Sequence, residues 1–143
     1  MINVKTINRI IAAITFSLTA IATTAEVVVI VHVDNAMTSI NKTDLSRIFL
    51  GKIDTFPDGS KVSAINQISA SGTRSSFDTD VLRKTTKQMN AYWSRQLFSG
   101  RGAPPPEVNG DIDVLQHISK NRDSIGYIDS SAANQSVKVL KIN

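Results

Sequence analysis

"EVVVIVHV", residues 26–33, sets five consecutive β-branched aliphatic residues between a glutamate and a histidine. Strict alternation would describe a strand with one wet face. Unbroken apolarity describes a strand covered on both faces, which requires a layer of structure on each side. Downstream, "NKTDLSRIFLG" (41–51) has helical spacing. Asn41 or Thr43 can cap it, Asp44 falls in the first turn, Leu45, Ile48 and Phe49 share a face, and Gly51 stops it. "FPDGSK" (56–61) carries turn residues in turn order, and "VSAI" (62–65) is a second strand.

The same alternation continues to the C-terminus. Phe77, Val81 and Leu82 mark one helix. Met89, Tyr92, Trp93 and Leu97 mark another, with all four on one buried face. "GRGAPPPEVNG" (100–110) is a loop, since its prolines and glycines exclude a helix. Ile112, Val114, Leu115 and Ile118 predict a helix over 111–121, and "IGYID" (125–129) and "VKVLKI" (137–142) are strands. Strands alternating with helices give a layered α/β domain with a mostly parallel or mixed sheet. There is no internal repeat and no dividing linker.

Upstream of "EVVVIVHV", Lys5 and Arg9 precede an uncharged apolar run at residues 10–22, and Thr23 and Ala25 sit at small-residue positions before Glu26. This is the pattern of a cleaved secretory signal peptide over residues 1–25. An uncleaved anchor is the alternative, but 13 apolar residues are short of the roughly 20 that span a bilayer. The mature domain is then residues 26–143, with 14 cations against 12 carboxylates. That balance, with no basic block of five or six residues, gives no footprint for nucleic acid. The absence of cysteine excludes disulfides, thiol catalysis and cysteine metal sites.

Enzymatic motifs are thin. His32 falls inside the apolar strand and reads as a core residue; His117 falls on a helix face and reads as solvated. Neither has a partner at metal-ligand spacing. "SINK" (39–42) has none of the companion motifs that would make Ser39 a nucleophile. Asp78/Asp80 and Asp111/Asp113 are spaced i, i+2, which suits helix N-terminal turns better than paired acid–base work. No cofactor is implied.

One polar stretch stands out: "NQISASGTRSSF", residues 66–77. A helix starting near Thr73 would offer unpartnered N–H groups with positive partial charge. Gly72 would let a ligand approach the backbone, Ser71 and Thr73 would add hydroxyls, and Arg74 a fork suited to a tetrahedral oxyanion. These are the parts of a phosphate site at a helix N-terminus. Ser71 acting as a plain cap, with Arg74 solvated, fits the same residues.

"DLSRIFLGKID", "VSAIN", "SGTRSSF", a tryptophan helix and "IGYID", in that order, resemble the phosphate ABC-transporter substrate-binding proteins over residues 40–129. The resemblance implies a periplasmic, non-enzymatic protein with a type II periplasmic-binding-protein-like fold, here a single α/β/α lobe of the usual two. It implies phosphate or a similar oxyanion as ligand, held by Ser71, Gly72, Thr73 and Arg74. It implies an ABC-transporter membrane component as a partner, and a second copy could supply the missing half as a homodimer. Gln67 stands where the family places a phosphate-binding arginine, and Ser69 where it places the aspartate that accepts the proton of hydrogen phosphate. A lobe used for protein contacts in an envelope assembly is the other implied role, with "GAPPP" (102–106) as a stiff contact segment.

The leader sets one expectation. Mass spectrometry of the exported protein should show a mature N-terminus at or beside Glu26; protein retained in the membrane would contradict it.

Overall fold

A computed structural model describes residues 26–143. The expected leader over residues 1–25 lies outside the described residues. Elements follow in the order β1 (Val27–His32), β2 (Ser39–Ile40), α1 (Lys42–Phe49), β3 (Ser63–Ala64), β4 (Asn66–Gln67), α2 (Gly72–Asp80) and α3 (Thr86–Phe98). β5 (Glu107–Val108), α4 (Asp111–Lys120), β6 (Ser124–Asp129), a 3₁₀ turn (Ser130–Ala132) and β7 (Val137–Ile142) complete the chain.

Five strands form one sheet in the order β2-β7-β1-β6-β3. β1 runs antiparallel to both neighbours, pairing Val27 with Asp129 and Val29 with Leu140, whereas β2–β7 and β3–β6 are parallel. The sheet is therefore mixed. β1 is covered on both faces, as its unbroken apolarity requires. Val29 and Val31 join Leu45, Phe49, Phe77, Met89 and Trp93 under α1, α2 and α3. Ile30 joins Ile128, Val137, Val114 and Ile118 under α4.

Local chemistry explains the joints. Asn41 caps α1 by accepting the Asp44 N–H at 2.8 Å, and Gly51 follows its end at φ +66. A Cβ at Gly51 would stand 2.9 Å from the Trp93 ring, so this turn needs glycine for its conformation and for space. Gly126 of β6 is under stronger constraint: a Cβ there would lie 2.8 Å from Val114 and 2.9 Å from Ile65. α4 can lie this close to the sheet only because that side chain is missing. On the other face the rings of Phe77 and Tyr127 stack with centroids 3.9 Å apart.

Two expected core positions are exposed. Leu97 and Ile112 keep 55% and 70% of their surface. Met89 and Trp93 lie on the core, but the last turn of α3 overhangs it, leaving Leu97 and Phe98 in solvent. Ile112 sits at the free start of α4, with Val114 and Ile118 carrying the packing.

Trp93→Ala should cost about 3–5 kcal/mol, as truncation of a buried aromatic does. Gly126→Val, which only adds bulk, should cost about 1–3 kcal/mol or more. Thermal melts check both, and an unchanged melting temperature in either would contradict the packing described.

Candidate functional site

β4 and β5 pair in parallel, Asn66 against Glu107 and Gln67 against Val108. Each leads into a helix, β4 into α2 and β5 into α4, so two helix N-termini leave from the same end of one strand pair. The proline loop serves this arrangement: the Pro106 carbonyl accepts the Asn66 N–H at 2.8 Å. Gln67 joins the two helix starts. Its amide nitrogen donates to Asp111 Oδ1 at 2.8 Å and to the Tyr127 carbonyl at 3.0 Å, and its amide oxygen accepts the Ser71 hydroxyl at 2.5 Å.

Ser71 is the N-cap of α2, accepting the Arg74 N–H at 3.2 Å. With its proton given to Gln67 and one lone pair given to Arg74, its hydroxyl has no donor left for a ligand. The N–H groups of Gly72 and Thr73 have no acceptor among the described residues. Gly72 is exposed, and nothing lies within 4 Å of where its Cβ would be. Thr73 is half-buried and adds a hydroxyl at the second helical position. What faces solvent at the start of α2 is thus a short row of neutral donors carrying the positive end of the helix dipole.

Arg74 and Gln67 depart from expectation. Both are 1% exposed, and they form the wall behind the helix start rather than its open surface. Arg74 lies on the inner face of α2 with Phe77 and Asp78. Its Nη1 donates to the Gln67 carbonyl at 2.7 Å and to Glu107 Oε1 at 2.5 Å. Its Nε lies 3.5 Å from Asp78 Oδ2, too long for a good hydrogen bond, and has no other partner. Asp78 is fully buried and accepts the Thr86 hydroxyl at 2.9 Å. Burial pushes its carboxyl above the ordinary aspartate range, against the pull of Thr86 and Arg74. Burial also raises the Tyr127 phenol, which donates to Asn66 Oδ1 and accepts the Gln67 N–H at 3.3 Å. One buried cation is therefore surrounded by Asp78, Glu107 and, through Gln67, Asp111.

The sequence brought Ser71, Gly72 and Thr73 together correctly as a helix start. It missed Asp78, Glu107, Asp111, Asn66 and Tyr127. The i, i+4 spacing of Arg74 and Asp78 was the available signal for an internal pair. Asp78 and Asp80 sit in the last turn of α2, not the first; Asp111 and Asp113 do occupy a first turn. His117 is half-buried with Nε2 3.2 Å from the Ser124 hydroxyl, rather than solvated. His32 ends β1 half-buried, accepting the Asp34 N–H at 3.1 Å. Among the described residues no three His, Asp or Glu side chains converge as metal ligands, and no helix is long and apolar enough to cross a membrane. A shallow groove of about 560 Å³ flanks the start of α4, lined by Asn109, Gly110, Asp111, Ile112, Asp113 and Ala132.

No family model and no curated protein sequence matches the chain. Solved structures do. An ABC-type phosphate transport receptor from Vibrio cholerae is 20% identical with a TM-score of 0.65, over 81% of this chain and 45% of that one. A putative phosphate ABC transporter substrate-binding protein with bound phosphate, from Clostridium perfringens, is 18% identical with a TM-score of 0.65, over 81% and 44%. PstS from Borrelia burgdorferi is 21% identical with a TM-score of 0.62, over 82% and 47%. The chain shares their fold and spans less than half the length of each, which agrees with a single-lobe form.

The buried carboxyl sets a pH dependence. Asp78 holds its proton more tightly in the native state than in the unfolded chain. Stability should therefore fall as pH rises from about 4, where the unfolded carboxyl ionises, and level off once the native carboxyl has ionised too. Asp78→Asn should flatten this limb in melts taken across that range. Arg74→Ala, which strands Asp78 in the interior, should cost about 3–5 kcal/mol.

Proposed function

We propose that this chain is a non-enzymatic oxyanion-binding lobe of the phosphate-receptor type, acting in the periplasm in phosphate uptake or sensing. The observation that carries the reading is the unpartnered N–H pair of exposed Gly72 and half-buried Thr73 at the start of α2. Tetrahedral oxyanions fit such a terminus because its donors and its dipole point the same way. In this reading Gly72 and Thr73 touch the anion. Ser71, Gln67 and Arg74 fix the helix start from behind. The fold shared with the phosphate transport receptor of Vibrio cholerae and with the Clostridium perfringens protein that holds bound phosphate supports the class of ligand.

The same geometry sets the affinity. Each neutral hydrogen bond contributes about 1 kcal/mol net, and in an open half-site water competes for all of them. Asp78, Glu107 and Asp111 offset the one guanidinium nearby. Binding by a lone copy should be weak and should separate phosphate from sulfate poorly. A second half would exclude water and bring further donors, whether from another copy or from a membrane transporter component.

A second reading has its own observation. Phe98 is 95% exposed and Leu97 beside it 55%, at the overhanging end of α3 before the proline loop. A pair of large apolar side chains in solvent suits a contact with another protein in an envelope assembly.

Calorimetry with phosphate and sulfate separates the two. Gly72→Pro removes one N–H at the first helical position, where proline is well tolerated. Thr73→Val removes the hydroxyl with little change of shape. Each should weaken phosphate binding about five- to tenfold while the melting temperature holds. Phosphate binding that survives both substitutions would refute the site. No binding by the wild-type protein in any oligomeric state would favour the contact reading.

A further inference from the structure

A second surface gathers charge where the start of α2 does not. A shallow groove of about 370 Å³ runs along the outer face of α1 and is bordered by the chain just past α2. Lys42, Arg47, Lys52 and Arg83 line it with Thr43 and Ser46. The cations come from both ends of α1 and from a turn more than thirty residues away. The Ser46 hydroxyl ties the two walls together by donating to the Val81 carbonyl at 3.3 Å. No carboxylate lines the groove; Asp44 pairs loosely with Arg47 at 3.7 Å, and Lys42, Lys52 and Arg83 form no ion pair among the described residues. A concave surface lined by one sign of charge focuses field and concentrates counter-ions.

Arg83 is a second and independent sign. At φ 56 it is the one residue other than glycine with positive φ among the described residues. It sits where α2 ends, with the Lys84 N–H returning to the Asp78 carbonyl at 3.0 Å. Helix ends of this type strongly favour glycine, because a Cβ is strained there. The turn itself has no use for an arginine. Local strain that the turn does not need, facing a charged groove, points to the side chain as the reason.

We propose that this groove binds a short chain of linked phosphates, a free oligophosphate, separately from the start of α2. Lys42 and Arg47 are five residues apart on α1, about 7.5 Å along its axis and on its two flanks, and Lys52 and Arg83 line the same groove. A single orthophosphate would meet one or two of these cations; a chain of phosphates meets all four.

Titration with tripolyphosphate tests this on the mature protein. Binding should be present at about 50 mM salt and fall steeply by about 200 mM. Arg83→Gly relieves the strained turn and removes the charge together, so its melting temperature should hold or rise while tripolyphosphate binding weakens about tenfold. Lys52→Gln should weaken it similarly, and Gly72→Pro should leave it unchanged. Four results would overturn the proposal. One is no tripolyphosphate binding at low salt. Another is binding that Arg83→Gly leaves intact, and a third is binding that Gly72→Pro abolishes. The fourth is binding only to vesicles of equal parts phosphatidylcholine and phosphatidylglycerol, which would make the groove a lipid-surface contact.

Discussion

A strand that is apolar on both sides must be covered twice, and that constraint organises this molecule. β1 lies at the middle of the sheet, hydrogen-bonded to β6 and β7, with Val29 and Val31 facing three helices and Ile30 facing a fourth. Each face then needs a helix at a definite height. On the α4 side that height is set by Gly126, whose missing side chain is filled by Val114 and Ile65. On the other side it is set by stacked aromatic rings, Phe77 on Tyr127 and Phe49 edge-on to Phe77. Fixing the two helix layers on one sheet also fixes where α2 and α4 begin, which is what creates a site at all.

Between those helix starts the protein buries polar groups, and their mutual satisfaction holds the region in one arrangement. Gln67 uses both ends of its amide, Tyr127 its hydroxyl, and Arg74 two acceptors through one nitrogen. The cost shows where partners run out, at Arg74 Nε and Asp78 Oδ1. A buried ion pair of this kind adds little stability compared with apolar packing, yet losing one partner is severe. The pair ties α2 to β4 and β5 through the Gln67 carbonyl and Glu107.

Sequence reading recovered the fold because the fold rests on periodicity. The unbroken run at 27–31, the Leu45–Ile48–Phe49 face and the Met89–Trp93 pair each declare burial through spacing alone. It failed where a helix outran its layer, at Leu97, and where a helix start projected, at Ile112; spacing does not show where the sheet beneath ends. At the site, the Ser71–Thr73 helix start was readable because caps follow local rules. The burial of Arg74 and Gln67 was not, since it depends on Glu107, Asp111 and Tyr127, which lie 33 to 60 residues away from them. The basic groove escaped for the same reason: Lys42, Arg47, Lys52 and Arg83 never form a run.

The two proposed anion surfaces differ in kind, and the difference bears on how such a lobe would work. The start of α2 presents fixed dipoles in a region where carboxylates outnumber the one buried cation. Its attraction falls off within the first turn of the helix and depends on geometry. The groove presents full charges on flexible side chains with no carboxylate in its lining. Its attraction reaches about 8–10 Å at moderate salt and tolerates many shapes. A long-range, unselective surface gathers anions, whereas a short-range, directional one discriminates among them. On the proposed reading, the start of α2 has no opposing wall within this lobe to exclude water. On the same reading, a charged groove elsewhere on the lobe would attract anions without needing a second wall.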